Sequence, residues 1–384
     1  MMKLGLLKII FRFNILVLLL FFYRNALYWL NTITYKQTIS DPLINLSILA
    51  LVLIGIIIIV GNIKYIVFKG IHLIAFLWIV GMFFVFLYNI GNWLMFLRCI
   101  LWPILFESTY IYTLRIKRVD YILYRFYHIV VVIGIIIFFE SMIFYSFGDS
   151  SNMIYFIILT TPFLLQTNNR NYLLFLLICV TILSILSSKR SIILAMGLFW
   201  IIIGIINCIQ KKQVFLTLVL GIIISITSVY SFQYIDKING SISSRMESDD
   251  ITSGRNAIYE MTWLMIVNSP SENIIIGHGH DTVRQHSLLR ISAHNEWLEI
   301  LYDYGVLMLI LYLCLWIYMI KKWIYLYKSQ SRYLTSYTMC LCIWAVMSMV
   351  SQLVVYVSYV LYLFMFLAFV EAKTSQYKLY NKLH

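Results

Sequence analysis

Residues 291–313 read ISAHNEWLEILYDYGVLMLILYL. A His, an Asn and three acids run straight into an apolar stretch long enough for an α-helix to cross roughly 30 Å of hydrocarbon. Runs of this kind recur along most of the 384 residues, of which 62% are hydrophobic and only 12% charged, with a mean hydropathy of +0.88. No water-exposed globular surface accommodates that composition. The length of the runs, about 17 to 23 residues, selects helices over the shorter strands of a membrane barrel. The sequence therefore predicts an all-α fold, a polytopic membrane helical bundle with about 12 transmembrane helices.

Spans are expected near 13–31, 43–61, 71–89, 92–110, 127–147, 152–167, 171–187, 191–209, 213–232, 298–320, 335–351 and 353–371. With the N-terminus inside, the cytoplasmic segments take most of the 29 Lys and Arg, while the short outer loops hold only Lys36, Lys189 and Arg190. That asymmetry follows the positive-inside rule and puts both termini in the cytoplasm. The chain then divides into a nine-span region (1–232), a large periplasmic loop (233–297) and a three-span region (298–384). The first run follows Lys3, Lys8 and Arg12 with no small-x-small cleavage pattern before Asn31, so it reads as a retained signal anchor. The net charge of +13 is scattered between spans rather than gathered in a stripe, which argues against nucleic acid as a partner. All six cysteines fall inside apolar runs, away from any water-facing disulfide or zinc cluster.

The outer loop carries four of the seven histidines, His278, His280, His286 and His294. Within it, GRNAIYEMTWLMIVNSP places Ala257, Ile258, Met261, Leu264 and Met265 at helical spacing, with Ser253 as N-cap and Pro270 beyond the end. This predicts an amphipathic helix lying on the bundle or membrane surface. A strand-like NIII run and a GHGHD turn follow. His278, His280 and Asp281 of this turn, with His286, suit zinc or manganese, yet the glycines equally mark a tight turn, and no metal site is expected.

Three features run against the charge rules of a membrane helix. Arg190 sits in the tight outer turn SSKRS (187–191) at a helix start, where it reads as a contact to lipid phosphates or as an anion site. Arg255 opens the amphipathic helix, paired with Asp249 or Asp250 or free to meet an anion. Glu296, Glu299 and Asp303, at spacings of three and four, share one face of the helix that follows His294. Asn295 or Ser292 is placed to cap that helix, and acids in its first turn suit the dipole. His294 then reads either as a polar residue at the headgroup level or as a general base. Arg98, in the outer part of span four, reads as half of an ion pair with Glu140 or as a substrate-binding cation.

The ordered combination SSKRS, SGRNAIYEMTWLMIVNSP leading to IIGHGH, and AHNEWLEILYDYGVL resembles the bacterial O-antigen polymerases (the Wzy group) and the related O-antigen ligases, over roughly residues 187–310. The resemblance implies a metal-independent membrane glycosyltransferase without a cofactor, acting on an undecaprenyl-pyrophosphate-linked oligosaccharide donor and acceptor at the outer face of the inner membrane. It implies His294 as the catalytic base and Arg190 and Arg255 as substrate-binding residues; Asn295 of the His-Asn pair and the buried cation Arg98, which lies outside the resembling stretch, are further substrate-binding candidates. A chain-length regulator protein is an implied partner besides the membrane lipids. Tyr259, Trp263, Trp297 and Tyr302 are candidates to stack on sugar faces. An O-antigen ligase shares the donor chemistry and is the nearest alternative. A lipid-linked oligosaccharide flippase is disfavoured by the nine-loop-three arrangement, since such transporters show two similar halves.

Overall fold

The computed structural model describes residues 2–35, 42–66, 68–90, 93–144, 153–166, 169–187, 189–211, 255–288, 290–351, 353–354 and 357–383. Among these residues there are fourteen α-helices and no strand. We number them α1 (Leu4–Tyr35), α2 (Pro42–Gly61), α3 (Ile71–Tyr88), α4 (Trp93–Arg115), α5 (Val119–Phe144), α6 (Met153–Leu164), α7 (Arg170–Leu186) and α8 (Arg190–Lys211). From residue 255 onward come α9 (Arg255–Val267), α10 (Ser271–Ile276), α11 (Thr282–His286), α12 (Glu296–Lys328), α13 (Leu334–Val350) and α14 (Val357–Leu383). Six helices are long and apolar enough to cross a membrane, and α6, α7, α8 and α13 carry shorter apolar segments. Each expected span falls on one of these helices except 213–232, which lies outside the described residues together with the 232/233 boundary and Ser253.

The core is organised on α4, against which α2, α3 and α14 pack, with Trp102 stacked on Phe364 at 3.8 Å between ring centroids. Pro103 inside α4 has no N–H for the carbonyl of Cys99. The indole of Trp78 donates to that carbonyl at 3.2 Å, so the proline leaves no unsatisfied group in the apolar interior. Arg115 donates to the Met2 carbonyl, and Gln376 donates to the carbonyls of Thr113 and Leu114. The N-terminus and α14 therefore meet at the C-terminal end of α4, opposite the end where Cys99 touches His280 of the 255–295 loop.

Two segments depart from the sequence reading. The NIII run forms a helical turn, α10, instead of a strand: the N-cap Pro270 accepts from Ile274 N–H through its carbonyl, and Gly277 N–H closes onto Asn273 O. The span expected at 298–320 begins two residues earlier and is broken at Gly305, whose φ of 78° and ψ of 177° are not helical. The break frees the carbonyls of Tyr302 and Asp303, and the amides of His278 and Gly279 take them at 3.1 and 2.8 Å. A Cβ on Gly305 would collide with the backbone of Ile275 and Gly277, and one on Gly277 with that of Asp303 and Tyr304. The helix break and the GHGH turn thus form one unit. Gly305→Ala combines a strained left-handed φ with backbone overlap, and we expect it to lower stability by about 2 kcal/mol or more, read as earlier thermal unfolding in detergent. An unchanged melting curve would contradict the glycine lock.

Candidate active site

The three acids of α12 do more than complement a dipole. Glu296, fully buried, accepts from Tyr312 O–H at 2.6 Å and from the backbone amides of Leu353 and Val354, which join α13 to α14. Glu299 accepts from the Ala293 amide at 2.8 Å. Asp303 accepts from the amides of Asp281 and Val283 and from the Thr282 hydroxyl, all within 2.9 Å. A buried carboxylate is tolerated only when such donors replace its water. Each acid therefore fixes one stretch of backbone against α12.

The stretch fixed by Glu299 ends at His294. His294 has a φ of 51°, a left-handed conformation that a β-carbon disfavours, and its carbonyl accepts from Tyr259 O–H at 3.3 Å. The same hydroxyl donates to Met349 O at 3.0 Å, tying α9, the His294 loop and the end of α13 together. The imidazole remains exposed. Desolvation by the surrounding protein lowers its pKa below the ordinary histidine value, and the Arg255 cation lowers it further. At neutral pH the ring is thus an uncharged base within electrostatic reach of the Arg255 guanidinium.

Arg255 stands at the first position of α9, and its charge acts on Tyr155 of α6 as well as on His294. Tyr155 in turn shares a 3.0 Å hydroxyl contact with Ser191, the residue after Arg190. Arg190 opens α8, but its side chain lies outside the described residues. The Tyr155–Ser191 and Tyr259–His294 contacts, with the charge of Arg255 reaching both Tyr155 and His294, link α8's first turn, α9's first turn and His294.

The remaining expected residues divide. Asn295 is the N-cap of α12, its side-chain oxygen accepting from Trp297 and Leu298 amides at 3.0 and 3.3 Å, so that oxygen is committed to the helix. Arg98 donates to Asn45 at 3.0 Å, and the ion pair with Glu140 is not among the described ones. Its charge is felt at His280 and Asp281, which puts it at the GHGHD turn. Trp297 and Tyr302 pack internally, Trp297 against Tyr312 and Tyr302 against His278. On α9 the buried face is Ile258, Thr262 and Ile266, while Leu264, expected on the packed face, is exposed beside Trp263 and Val267. Among the described residues no group of three His, Cys, Asp or Glu is arranged to hold a metal.

A polytopic helical membrane protein with a neutral histidine and an arginine converging at its loop end has the parts for transfer chemistry on an anionic, lipid-borne substrate. Residues 173–313, from α7 to beyond the break in α12, match the family model described as O-antigen ligase. No curated protein matches the chain, and no solved structure does. The match to that family model, together with the six helices long and apolar enough to cross a membrane, supports a multi-pass membrane enzyme of O-antigen or polysaccharide assembly.

Sequence reasoning missed the positioning role of Glu299. Glu299→Ala leaves the Ala293 amide buried without its charged acceptor, a loss of about 2 kcal/mol locally. The expected result is near-complete loss of polysaccharide assembly with the protein still inserted and folded, and partial recovery in Glu299→Gln, whose amide oxygen still accepts. Equal activity in Glu299→Ala and the unaltered protein would remove this residue from the account.

Proposed function

We propose that the chain is a polymerase that joins undecaprenyl-pyrophosphate-linked repeat units into a polysaccharide at the outer face of the cytoplasmic membrane. The observation that supports this most is the neutral His294 imidazole in the field of the Arg255 cation, on a backbone held by Glu299 and Tyr259. An acceptor sugar hydroxyl attacks the anomeric carbon of the donor chain and gives its proton to the free nitrogen pair of His294. The bond from that carbon to the pyrophosphate oxygen breaks, and undecaprenyl pyrophosphate leaves with the electron pair. The charge growing on the leaving group faces Arg255 and, in this reading, Arg190. Neither step needs a cofactor.

Ligation of finished chains to a lipid A core uses the same donor chemistry, and the matching family model carries the ligase description. The two readings part in a surface-polysaccharide gel from a strain whose own copy is replaced by His294→Ala, or by His294→Asn, which better tolerates the positive φ. A polymerase variant shows single repeats and no ladder. Loss of all attached repeats instead indicates a ligase, and an unchanged ladder removes His294 from the mechanism.

A further inference from the structure

A cavity of about 430 Å³ opens at the loop end of the bundle, and His294 is not among its lining residues. Its apolar side is Phe86 of α3 with Met95 and Phe96 of α4. Its polar side is three histidines, His278, His280 and His286, with Gln285 and Asn89. Each imidazole is held through Nδ1: His278 on the Tyr302 carbonyl at 3.1 Å, His286 on the Tyr302 hydroxyl at 2.9 Å, and His280 on the Tyr304 hydroxyl. Among the described residues the three Nε2 atoms have no hydrogen-bond partner.

A carbonyl can only accept, so Nδ1 of His278 carries the proton and its Nε2 offers a lone pair. Burial lowers the pKa of His278 and takes that of His280 down to about 4, where Arg98 and Arg284 add to the effect, so both rings stay neutral at physiological pH. The Arg284 guanidinium is already engaged with Asp281 at 2.5 Å. A phosphate oxygen, which only accepts, is repelled by a lone-pair nitrogen. A hydroxyl both donates and accepts and satisfies either face of a neutral imidazole. The opposite wall, aromatic and thioether, suits the apolar C–H face of a sugar ring.

We propose that this cavity binds a neutral sugar ring of the lipid-linked saccharide, with His278, His286 and Gln285 hydrogen-bonded to its hydroxyls and its apolar face on Phe86 and Phe96. The inference rests on the polymerase reading for the source of the sugar. Tyr302, which holds two of the three histidines, also packs in a cluster with Val283, Ile266 and Ala293, the residue before His294. The cavity and the base are therefore separated by one shared wall. A sugar seated here reads repeat-unit identity at a distance from the reacting hydroxyl, which makes the cavity a specificity subsite.

The test uses the full-length protein in phospholipid nanodiscs, free of sugar-headgroup detergent, and saturation-transfer NMR. The probe is the mixture of oligosaccharides released by partial acid hydrolysis of the host's own surface polysaccharide. The expected result is saturation transfer to sugar protons with the unaltered protein, weakened at least fivefold in a Gln285→Ala, His286→Ala double variant. Both side chains are exposed, and an unchanged melting temperature verifies that the variant is folded. Absence of transfer to the unaltered protein, or undiminished transfer to the double variant, overturns the proposal. So does displacement of the sugar signal by inorganic pyrophosphate, which would make the cavity an anion site. Sugar binding that persists while the His294→Ala ladder is unchanged supports the subsite and defeats the polymerase reading alone.

Discussion

The loop end of this protein depends on burying three carboxylates at the start of α12. In a low-dielectric interior an acid without hydrogen-bond donors is strongly disfavoured, so Glu296, Glu299 and Asp303 impose contacts on whatever backbone lies beside them. The α13–α14 connection, the residue before His294 and the turn after GHGH each supply amides. The break at Gly305 adds the reverse demand, two freed carbonyls that the amides of His278 and Gly279 meet. A short polar loop is thereby bolted to a membrane helix by complementary needs, and His294 is held in a conformation it would not choose alone.

The two chemical environments that result lie on either side of Tyr302. On one side His294, exposed and neutral, lies in the field of Arg255, which also reaches Tyr155, the partner of Ser191 in α8's first turn. On the other side three anchored imidazoles line a half-aromatic cavity. The first suits an anionic leaving group and a proton acceptor, the second a neutral hydroxylated ring. A membrane enzyme of polysaccharide assembly has to recognise both ends of such a substrate.

Much of the bundle was legible because a spanning helix needs only length and apolarity, which the sequence prints directly. Arg255 and His294 drew attention in the sequence as a cation and an imidazole placed where dipole and charge rules disfavour or do not require them, and the roles given to them are proposals. Glu299 was not. Spacing put it on one face with Glu296 and Asp303, but a carboxylate near a helix start has a sufficient explanation in the dipole, and its amide partner six residues back depends on the loop's path. Asn295 was half legible: the cap was foreseen, and its oxygen serves that cap. The three-histidine cavity was read as turn glycines and weak metal ligands because the anchors at Tyr302 and Tyr304 are set by the break at Gly305, a tertiary event without a local signature.

The central claim, that His294 acts as a neutral base under the influence of Arg255, is tested most directly by the pH profile of chain elongation. The measurement uses purified protein with a lipid-linked repeat unit, comparing the unaltered chain with Arg255→Ala. The Arg255 cation disfavours the protonated imidazole, so its removal raises the His294 pKa. The base is then lost at a higher pH on acidification, and the acid limb of the normalised profile shifts upward. An acid limb that stays where it was, or moves to lower pH, contradicts the account.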